Sequence, residues 1–395
     1  MLSGWSRIRQ SMLRLGVVVS SAVVGAASAS PAGAAPGQSF SGASSAATTW
    51  WPTAVVMPAP ASNVAAATTD PSGATVGYAT GSDGIWFIKR VGGLWTRTKT
   101  PYRGKVMDTA TDNTGTYVAF TDLGTSSSSV EALRVGKRLA SGRYVPSRVI
   151  ASPFSWFPVF RSAALLASGG HWRVFYDYLG CSDVCGENRL QETDDAGRTW
   201  DIPSVPANLG EVTVFTRLKA AWMPNGVVAL MGVTGGIDAN TGGAQTTGGD
   251  VWFGRGTGHG YNGWAFGRLD RRADTTDVDV VSRYMTLFVT WGRPGTVMTI
   301  TNNGRAWSAP RALPAAGAVA GTRTAVSLGH QYIAWSDSTG LRLAHRVLYG
   351  PWTTTTLTRA AQPRSLATTA SSGLPTVVFS VQKVAGIEIR ALTQR

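Results

Sequence analysis

The feature that most constrains this fold is a strand-rich unit of roughly 45 residues that repeats along the chain after residue 48. Each unit reads as a strand, a Gly turn, an apolar strand, a turn, a third strand, a tight turn and a final strand led by an aromatic residue. The second strands show the pattern best because they are rich in β-branched and aromatic residues. We predict them at residues 75–80, 117–122, 172–178, 227–233, 285–291, 331–337 and 376–380.

A repeat of this length is typical of solenoids and propellers. Gly and Pro interrupt every stretch long enough for a helix, which favours an all-β fold. The outer strands open with Trp95, Tyr144, Trp200, Trp264, Trp307 and Trp352, one fewer than the second strands. We therefore predict a single β-propeller with seven four-stranded blades, six or eight being the alternative counts. The N-terminal strand at residues 48–52 is expected to close the last blade, which removes an exposed sheet edge.

The N-terminus has the pattern of an export signal. Arg7, Arg9 and Arg14 precede an apolar run that is too short to span a bilayer. Small residues offer cleavage after Ala29 or Ala34. We predict a signal peptide at residues 1–34, a flexible lead-in at 35–47 and the propeller at 48–395, and we expect a secreted, extracellular protein without a transmembrane segment.

Two cysteines, Cys181 and Cys185, lie four positions apart in a loop-like stretch. In an exported protein this spacing favours a local disulfide, with a free or metal-bound pair as the alternative. The four histidines fall in separate repeats and lack the spacing of a metal site. We therefore predict no metal and no cofactor.

The formal net charge is +14, and removing the three signal arginines leaves 14 − 3 = +11. Most of the excess is Arg, which binds carboxylates and phosphates in a bidentate manner. An anionic glycan outside the cell is the natural partner, although codon bias in a GC-rich genome would enrich Arg equally well. The charges are scattered, which disfavours a nucleic-acid site. We expect a monomer.

A second constraint is a short motif, Thr193-Asp194-Asp195-Ala196-Gly197-Arg198-Thr199-Trp200, which matches the Asp-box pattern Ser/Thr-x-Asp-x-Gly-x-Thr-Trp. We expect Asp195 to accept backbone N–H groups, Gly197 to adopt positive φ, Thr199 to cap the turn and Trp200 to pack on a neighbouring sheet. A degenerate copy of the motif contains Asn302, Gly304 and Trp307.

The chain therefore resembles the Asp-box (bacterial neuraminidase) repeat propellers of the sialidase superfamily. In these families the Asp-boxes lie on the outer rim, so the resemblance implies structural roles for Thr193, Asp195 and their neighbours. It also implies work on glycans, without implying catalysis.

Sialidases of this superfamily hold a sugar carboxylate with three arginines from inner strands. Arg161, Arg217 and Arg364 each stand nine residues before the Gly that ends an inner strand, so they are expected at one height around the axis. The alternative is that they are solvated residues at strand starts. Phe160-Arg161-Ser162-Ala163 lacks the Ile and Pro of the family's Phe/Tyr-Arg-Ile-Pro motif, which weakens the enzyme interpretation.

Catalytic residues have no motif around them. The resemblance implies a Tyr nucleophile activated by Glu, with an Asp as acid/base. Candidates are Tyr102, Tyr176, Tyr178, Glu211 and Asp108, and ordinary structural roles are the default for each. The Gly- and Thr-rich loop 232–249 can contact ligand or be a surface insertion.

The sequence thus predicts a glycan-binding propeller that uses its central mouth. The alternatives are an exo-sialidase or related glycoside hydrolase, and a protein-binding scaffold.

Overall fold

The structure is a computed structural model. It describes residues 50, 53–70, 72–122, 132–151, 159–181, 185–202, 214–223, 226–235, 249–283, 285–359, 366–371 and 373–394. Residues 48–395 form one unit by their backbone contacts, and residues 1–49, with the predicted signal and lead-in, lie outside the described part.

The described residues form 27 strands and one short 3-10 turn at Tyr261–Gly263. In chain order the strands are β1 (Ala54–Thr69), β2 (Thr75–Gly81), β3 (Gly84–Val91), β4 (Leu94–Lys99), β5 (Lys105–Asp112), β6 (Gly115–Asp122), β7 (Ala132–Leu139), β8 (Tyr144–Ala151), β9 (Val159–Ser168), β10 (His171–Cys181), β11 (Cys185–Asp194), β12 (Thr199–Ile202), β13 (Val214–Trp222), β14 (Val228–Gly235), β15 (Gly249–Gly256), β16 (Trp264–Thr275), β17 (Asp277–Arg283), β18 (Thr286–Arg293), β19 (Thr296–Asn302), β20 (Arg311–Pro314), β21 (Gly321–Ser327), β22 (His330–Asp337), β23 (Gly340–Val347), β24 (Thr353–Thr358), β25 (Leu366–Ser371), β26 (Leu374–Lys383) and β27 (Gly386–Thr393). The predicted second strands correspond to β2, β6, β10, β14, β18, β22 and β26.

Hydrogen bonding joins these strands into antiparallel sheets. Five sheets have four strands each, and the sixth has seven strands in the order β25-β26-β27-β1-β2-β3-β4. The long strand β1 explains the larger sheet, because its first part pairs with β27 and its second part pairs with β2. We number the four-stranded sets as blades, from blade 1 (β1–β4) to blade 7 (β25–β27 with the start of β1). The described residues therefore form six hydrogen-bonded sheets but seven blades, because the seven-stranded sheet contains both blade 7 and blade 1.

The first strands of the blades lie next to one another in a ring. Each of β1, β5, β9, β13, β17, β21 and β25 contacts the first strand of the following blade, and β25 contacts β1. Strands β17 and β21 show how neighbouring inner strands are aligned. Asp277 bonds to Thr322 and Asp279 to Thr324, so residue numbers rise together along the two strands, as in a parallel arrangement. Asp112 at the end of β5 likewise bonds to Gly170 just after β9, and the last residues of β1, β13, β17, β21 and β25 surround one cavity. The seven inner strands therefore run in the same direction, and each blade presents its first turn at the same end.

Apolar side chains fill the space between blades. The described residues contain seven buried clusters, each built from the facing strands of two neighbouring blades. The cluster between blades 7 and 1 joins Val56, Val64 and Ala79 to Val378 and Ile389. Burial of such side chains contributes about 25 cal/mol for each Å² removed from water, so every blade is stabilised by both of its neighbours.

The closing strand lies further along the chain than predicted. Trp50 forms an isolated antiparallel bridge with Gln394, and the regular pairing with β27 starts at Ala54. The prediction that the N-terminal strand completes the last blade is confirmed, with the strand extending to Ala61.

Two outer strands also start later than predicted. The backbone of Trp307 pairs with Asn302 through an isolated bridge, and β20 begins at Arg311. Pro310 precedes that strand and has no N–H to donate, so regular pairing can start only after it. Trp352 likewise immediately precedes β24.

Candidate functional site

A cavity of about 810 Å³ occupies the centre of the ring. Residues from all seven inner strands line it. The charged residues among them are Asp70, Asp108, Lys219, Asp279, Arg283 and Arg323, and small Thr, Ala and Val side chains form most of the remaining wall. We call this cavity the central channel.

One ion pair spans the channel from blade 2 to blade 4. The Nζ of Lys219 lies 2.7 Å from Oδ1 of Asp108, and both side chains are largely buried. The other carboxylate oxygen, Oδ2, accepts the backbone N–H of Leu165 at 2.8 Å. Asp108 therefore serves two purposes: it bonds to the inner strand of the next blade and presents a charge to the channel.

A second charged group joins blades 5 and 6. Asp277 and Asp279 accept the backbone N–H groups of Thr322 and Thr324 at 3.0 and 2.7 Å. Arg323 lies between these two threonines, and its Nη1 donates to Oδ2 of Asp277 at 2.5 Å. Inner strands have no hydrogen-bonded strand on their central side, so such side-chain acceptors satisfy N–H groups that would otherwise be unpaired.

The environment of this group changes its protonation. Burial raises the pKa of Asp279 to about 6, although Arg323 and Lys219 oppose the shift. Burial alone would lower the pKa of Arg323, but Asp277 and Asp279 outweigh burial and raise it. The channel thus contains a permanent cation beside a carboxyl group that takes up a proton in mildly acidic solution.

Threonine hydroxyls continue the polar lining. The Oγ1 atoms of Thr69 and Thr369 lie 2.9 Å apart, across the junction of blades 1 and 7. Thr324, which lines the channel from blade 6, pairs at 2.8 Å with Thr290, which lies behind the lining in β18 of blade 5. These hydroxyls are both donors and acceptors, so the described wall offers hydrogen bonds of either kind to a ligand.

The predicted arginine clamp is only partly described. Arg217 is half-exposed at the start of β13, and its Nε lies 3.8 Å from Oδ1 of Asp277. The backbone of Arg161 belongs to β9, but its side chain lies outside the described residues, and so does Arg364. Convergence of Arg161, Arg217 and Arg364 therefore stays a prediction.

Two of the candidate tyrosine nucleophiles do not line the channel. The hydroxyl of Tyr102 donates to backbone carbonyl groups of blade 2, at Lys137 and Val145. Tyr176 is buried, with its hydroxyl 3.2 Å from Oγ1 of Thr193. Burial raises the pKa of Tyr102 to about 12, which opposes formation of a phenolate. Tyr102 and Tyr176 therefore make the structural hydrogen bonds that were their default interpretation, and Glu211 and the Tyr178 side chain lie outside the described residues.

The Asp-box turn differs from the prediction in one respect. Asp194, not Asp195, accepts the backbone N–H of Arg198, at 3.0 Å. The turn closes between Asp194 O and Gly197 N, which makes Asp194 the first turn residue, the position from which a carboxylate reaches later N–H groups. Asp195 instead places Oδ2 2.7 Å from Nδ1 of His171.

Other positions of this motif follow the expected geometry. Gly197 has a φ of 82°, and the Oγ1 atoms of Thr193 and Thr199 lie 2.9 Å apart. Trp200 stacks on His259 of blade 4 with ring centroids 4.1 Å apart. The motif therefore ties blade 3 to its neighbour, away from the channel.

The degenerate copy forms a similar turn in blade 5. Oδ1 of Asn302 accepts the N–H of Gly304 at 2.7 Å, and Gly304 has a φ of 86°. Trp307 meets Phe253 of blade 4 edge to face, with centroids 5.0 Å apart. The amide of Asn302 thus supplies the acceptor that the motif requires.

Two further predictions lie at the border of the described residues. Cys181 and Cys185 oppose each other in the β10–β11 register, but their side chains are outside the described residues, so the disulfide stays a prediction. The loop predicted at 232–249 is shorter, because Gly232–Gly235 belong to β14 and Gly249 to β15. The described residues contain no group of three or more side chains able to hold a metal, and no helix long and apolar enough to cross a bilayer.

Sequence reasoning missed Lys219, Asp277 and Asp279. A signal was present in Asp277-Val278-Asp279-Val280, where carboxylates alternate with valines at strand spacing and share one face. Lys219 carries no comparable signal, because its partner Asp108 is more than a hundred residues away in the sequence.

Comparison with known proteins addresses the fold. No protein-family model matches the sequence, and no curated protein matches it. Among solved structures, an α-L-arabinanase from Penicillium chrysogenum in complex with arabinobiose superposes on 76% of this chain and 99% of its own, at 12% identity and a TM-score of 0.52. An α-L-arabinofuranosidase from Fusarium graminearum in complex with an iminosugar inhibitor covers 88% of this chain and 98% of its own, at 12% identity and a TM-score of 0.50.

The chain is a β-propeller. A sialidase from Trypanosoma rangeli is also similar, at 9% identity and a TM-score of 0.45, and this propeller spans about half (54%) of that chain. At such identities the likeness concerns the fold alone. The all-β propeller architecture predicted from the repeats and the Asp-box is confirmed.

Proposed function

We propose that this propeller binds a glycan in its central channel. The observation that carries the proposal is the channel itself, an 810 Å³ cavity that all seven inner strands line with fixed hydrogen-bonding groups. Two proteins of the same fold are described in complex with arabinobiose and with an iminosugar inhibitor, which supports a sugar-sized ligand.

The lining suits a ligand rich in hydroxyl groups. Lys219 and Arg323 donate hydrogen bonds, Asp108 and Asp279 accept them, and threonine hydroxyls do both. Trp222 adds an indole face to the wall, on which the apolar side of a sugar ring can pack. Because these side chains already bond to one another, a bound glycan exchanges existing partners without leaving a buried group unpaired.

The charge of the glycan is part of the test. The charged lining residues comprise three acids and three bases, so the described wall has no surplus of positive charge. An anionic glycan therefore depends on Arg161, Arg217 and Arg364. A neutral glycan needs only the described groups.

We also propose where in relation to the cell the protein acts. The pattern of the first 34 residues supports export, and we propose that the propeller is secreted and meets its glycan outside the cell, as a monomer.

The test begins with a glycan array that includes neutral arabinan fragments and sialosides, followed by calorimetry with arabinobiose and with sialic acid. We expect Lys219→Ala to weaken binding by about tenfold, because it removes a charged hydrogen-bond donor. Lys99→Ala, which breaks an exposed ion pair with Asp83 away from the channel, is the matched control. Equal affinity in wild type and Lys219→Ala, or no binding to any glycan, contradicts the proposal.

Hydrolysis is the second candidate function, favoured by Asp279. A buried carboxyl group with a pKa of about 6 holds a proton in mildly acidic solution and can donate it there to a leaving group. Release of sugar in the same assays, lost in Asp279→Asn while binding persists, separates a hydrolase from a binding module. A protein ligand unaffected by free sugar favours the scaffold alternative.

A further inference from the structure

Exposed apolar side chains gather at one end of the propeller. We call the end at which each inner strand finishes the lower face; it carries the turns between the first and second and between the third and fourth strands of each blade. Of the ten large apolar side chains that are exposed among the described residues, seven lie there: Val91, Leu94, Met285, Leu328, Val347, Tyr349 and Leu374. Five of these seven belong to blades 5–7.

Three of these residues are held in an unfavourable backbone conformation. Met285, Leu328 and Tyr349 have φ values of 64°, 46° and 68°, and the described residues contain no other non-glycine residue with positive φ. This region of φ suits Gly, Asn or Asp, whereas large side chains are strained in it. Their side chains are nevertheless 63%, 63% and 77% exposed. Strained turns that present apolar groups to water do not stabilise the fold, which points to an interaction surface.

The same blades are rich in basic residues. Residues 277–393, which span blades 5–7, contain eleven basic and four acidic residues, so they contribute 11 − 4 = +7 of the total +14. On the lower face of these blades Arg283, Arg305 and Arg311 are exposed. This end of the propeller is therefore both apolar and basic.

One arginine of this face is buried beside a second arginine. Arg346 is 7% exposed, its Nε donates to Oε1 of Gln331 at 2.8 Å, and its guanidinium lies over the ring of Trp352. Burial lowers the pKa of Arg346, and the charge of Arg311 lowers it further. Arg346 and Arg311 therefore both add positive potential to this face, close in sequence to the exposed Tyr349 in the case of Arg346.

We propose that the lower face of blades 5–7 binds the surface of an anionic lipid bilayer. Met285, Leu328 and Tyr349 enter the boundary between headgroups and acyl chains, and Arg305 and Arg311 bind lipid phosphates. A soluble polyanion satisfies the arginines but leaves the apolar side chains in water. A second copy of the chain brings a face of the same positive charge, which repels.

The test uses vesicles of phosphatidylcholine alone and of phosphatidylcholine with phosphatidylglycerol in equal parts, with co-sedimentation of the full propeller. We expect binding to the anionic vesicles only, weakening as salt is added. Leu328→Asn and Tyr349→Asn remove the apolar groups while placing a residue that tolerates positive φ. Each is expected to bind roughly tenfold more weakly, with no loss of thermal stability. Val384→Asn, at a fully exposed turn of the opposite face, is the matched control and is expected to bind as wild type.

A double variant, Arg305→Ala with Arg311→Ala, tests the charged component separately. We expect roughly fivefold weaker binding for each arginine removed. Equal binding to neutral and anionic vesicles, or unchanged binding of the two Asn variants, overturns the proposal. Concentration-dependent dimers that the Asn variants abolish also overturn it, in favour of self-association. Glycan binding in the channel is a separate measurement on the same samples, so the two proposals fail independently.

Discussion

Asp279 shows how much a single side chain depends on its surroundings. It lies in a strand of alternating carboxylates and valines, and the sequence gives no indication that Arg323 and Lys219 approach it from two other blades. Asp108 could be nominated from the sequence because it falls in an inner strand. Arg161, Arg217 and Arg364 were predicted as binding residues because each lies nine positions before the Gly that ends its inner strand. Ion pairs across the channel join residues far apart in sequence, and only the closed ring brings them together.

The raised pKa of Asp279 predicts a pH-dependent stability. The unfolded state ionises near pH 3.8 while the folded state keeps its proton to about pH 6, so stability falls as pH rises through this interval. Asp279→Asn removes that cost. We expect this variant to match wild type near pH 4 and to exceed it above pH 6 by on the order of 3 kcal/mol. Urea unfolding across this pH range measures the difference. Asp201→Asn, at an exposed position of β12, is the control, and a constant difference for Asp279→Asn would contradict the prediction.

Strand β1 belongs to two blades at once. Val56 and Met57 pack in the cluster between blades 7 and 1, and the later residues of the strand pair with β2. The sequence predicted that an N-terminal strand closes the ring, because one outer strand was missing from the repeats. It placed that strand too early, since residues 54–61 include two prolines and lack the alternation of a strand. The Asp-box turns were predicted more closely because their chemistry is local.

Removing the first part of β1 tests its contribution to closure. A chain starting at Ser62 leaves the edge of β27 unpaired and lacks three buried side chains, Val56, Met57 and Ala61, which predicts a loss of about 4 kcal/mol. The open edge should also promote aggregation. Urea unfolding and light scattering measure both effects. A chain starting at Thr48 retains the strand and should behave as the full chain, and equal stability of the two shortened chains would rule out this role.

At the scale of the whole molecule, the sequence repeat predicted the propeller architecture, and the closed ring determines which side chains meet in the central channel. Seven first strands, seven clusters between blades and one shared channel follow from a periodic pattern that is visible in the sequence. The uneven distribution of charge is also visible in the sequence. Only the structure shows that the basic residues of blades 5–7 share the lower face with the exposed Leu328 and Tyr349. A spacing can locate strands, whereas the exposure of a turn residue depends on its final packing.

The bridge between Trp50 and Gln394 brings the two ends of the described chain together. A circular permutant, with a short Gly/Ser linker joining residues 394 and 50 and new termini in the turn at Gly142, should therefore fold into the same ring. We expect its urea midpoint to lie close to that of wild type and its circular dichroism spectrum to be unchanged. Opening the chain within β6, where Tyr117 and Phe120 are buried, should instead prevent folding. The folded ring would then not depend on which blade is synthesised first.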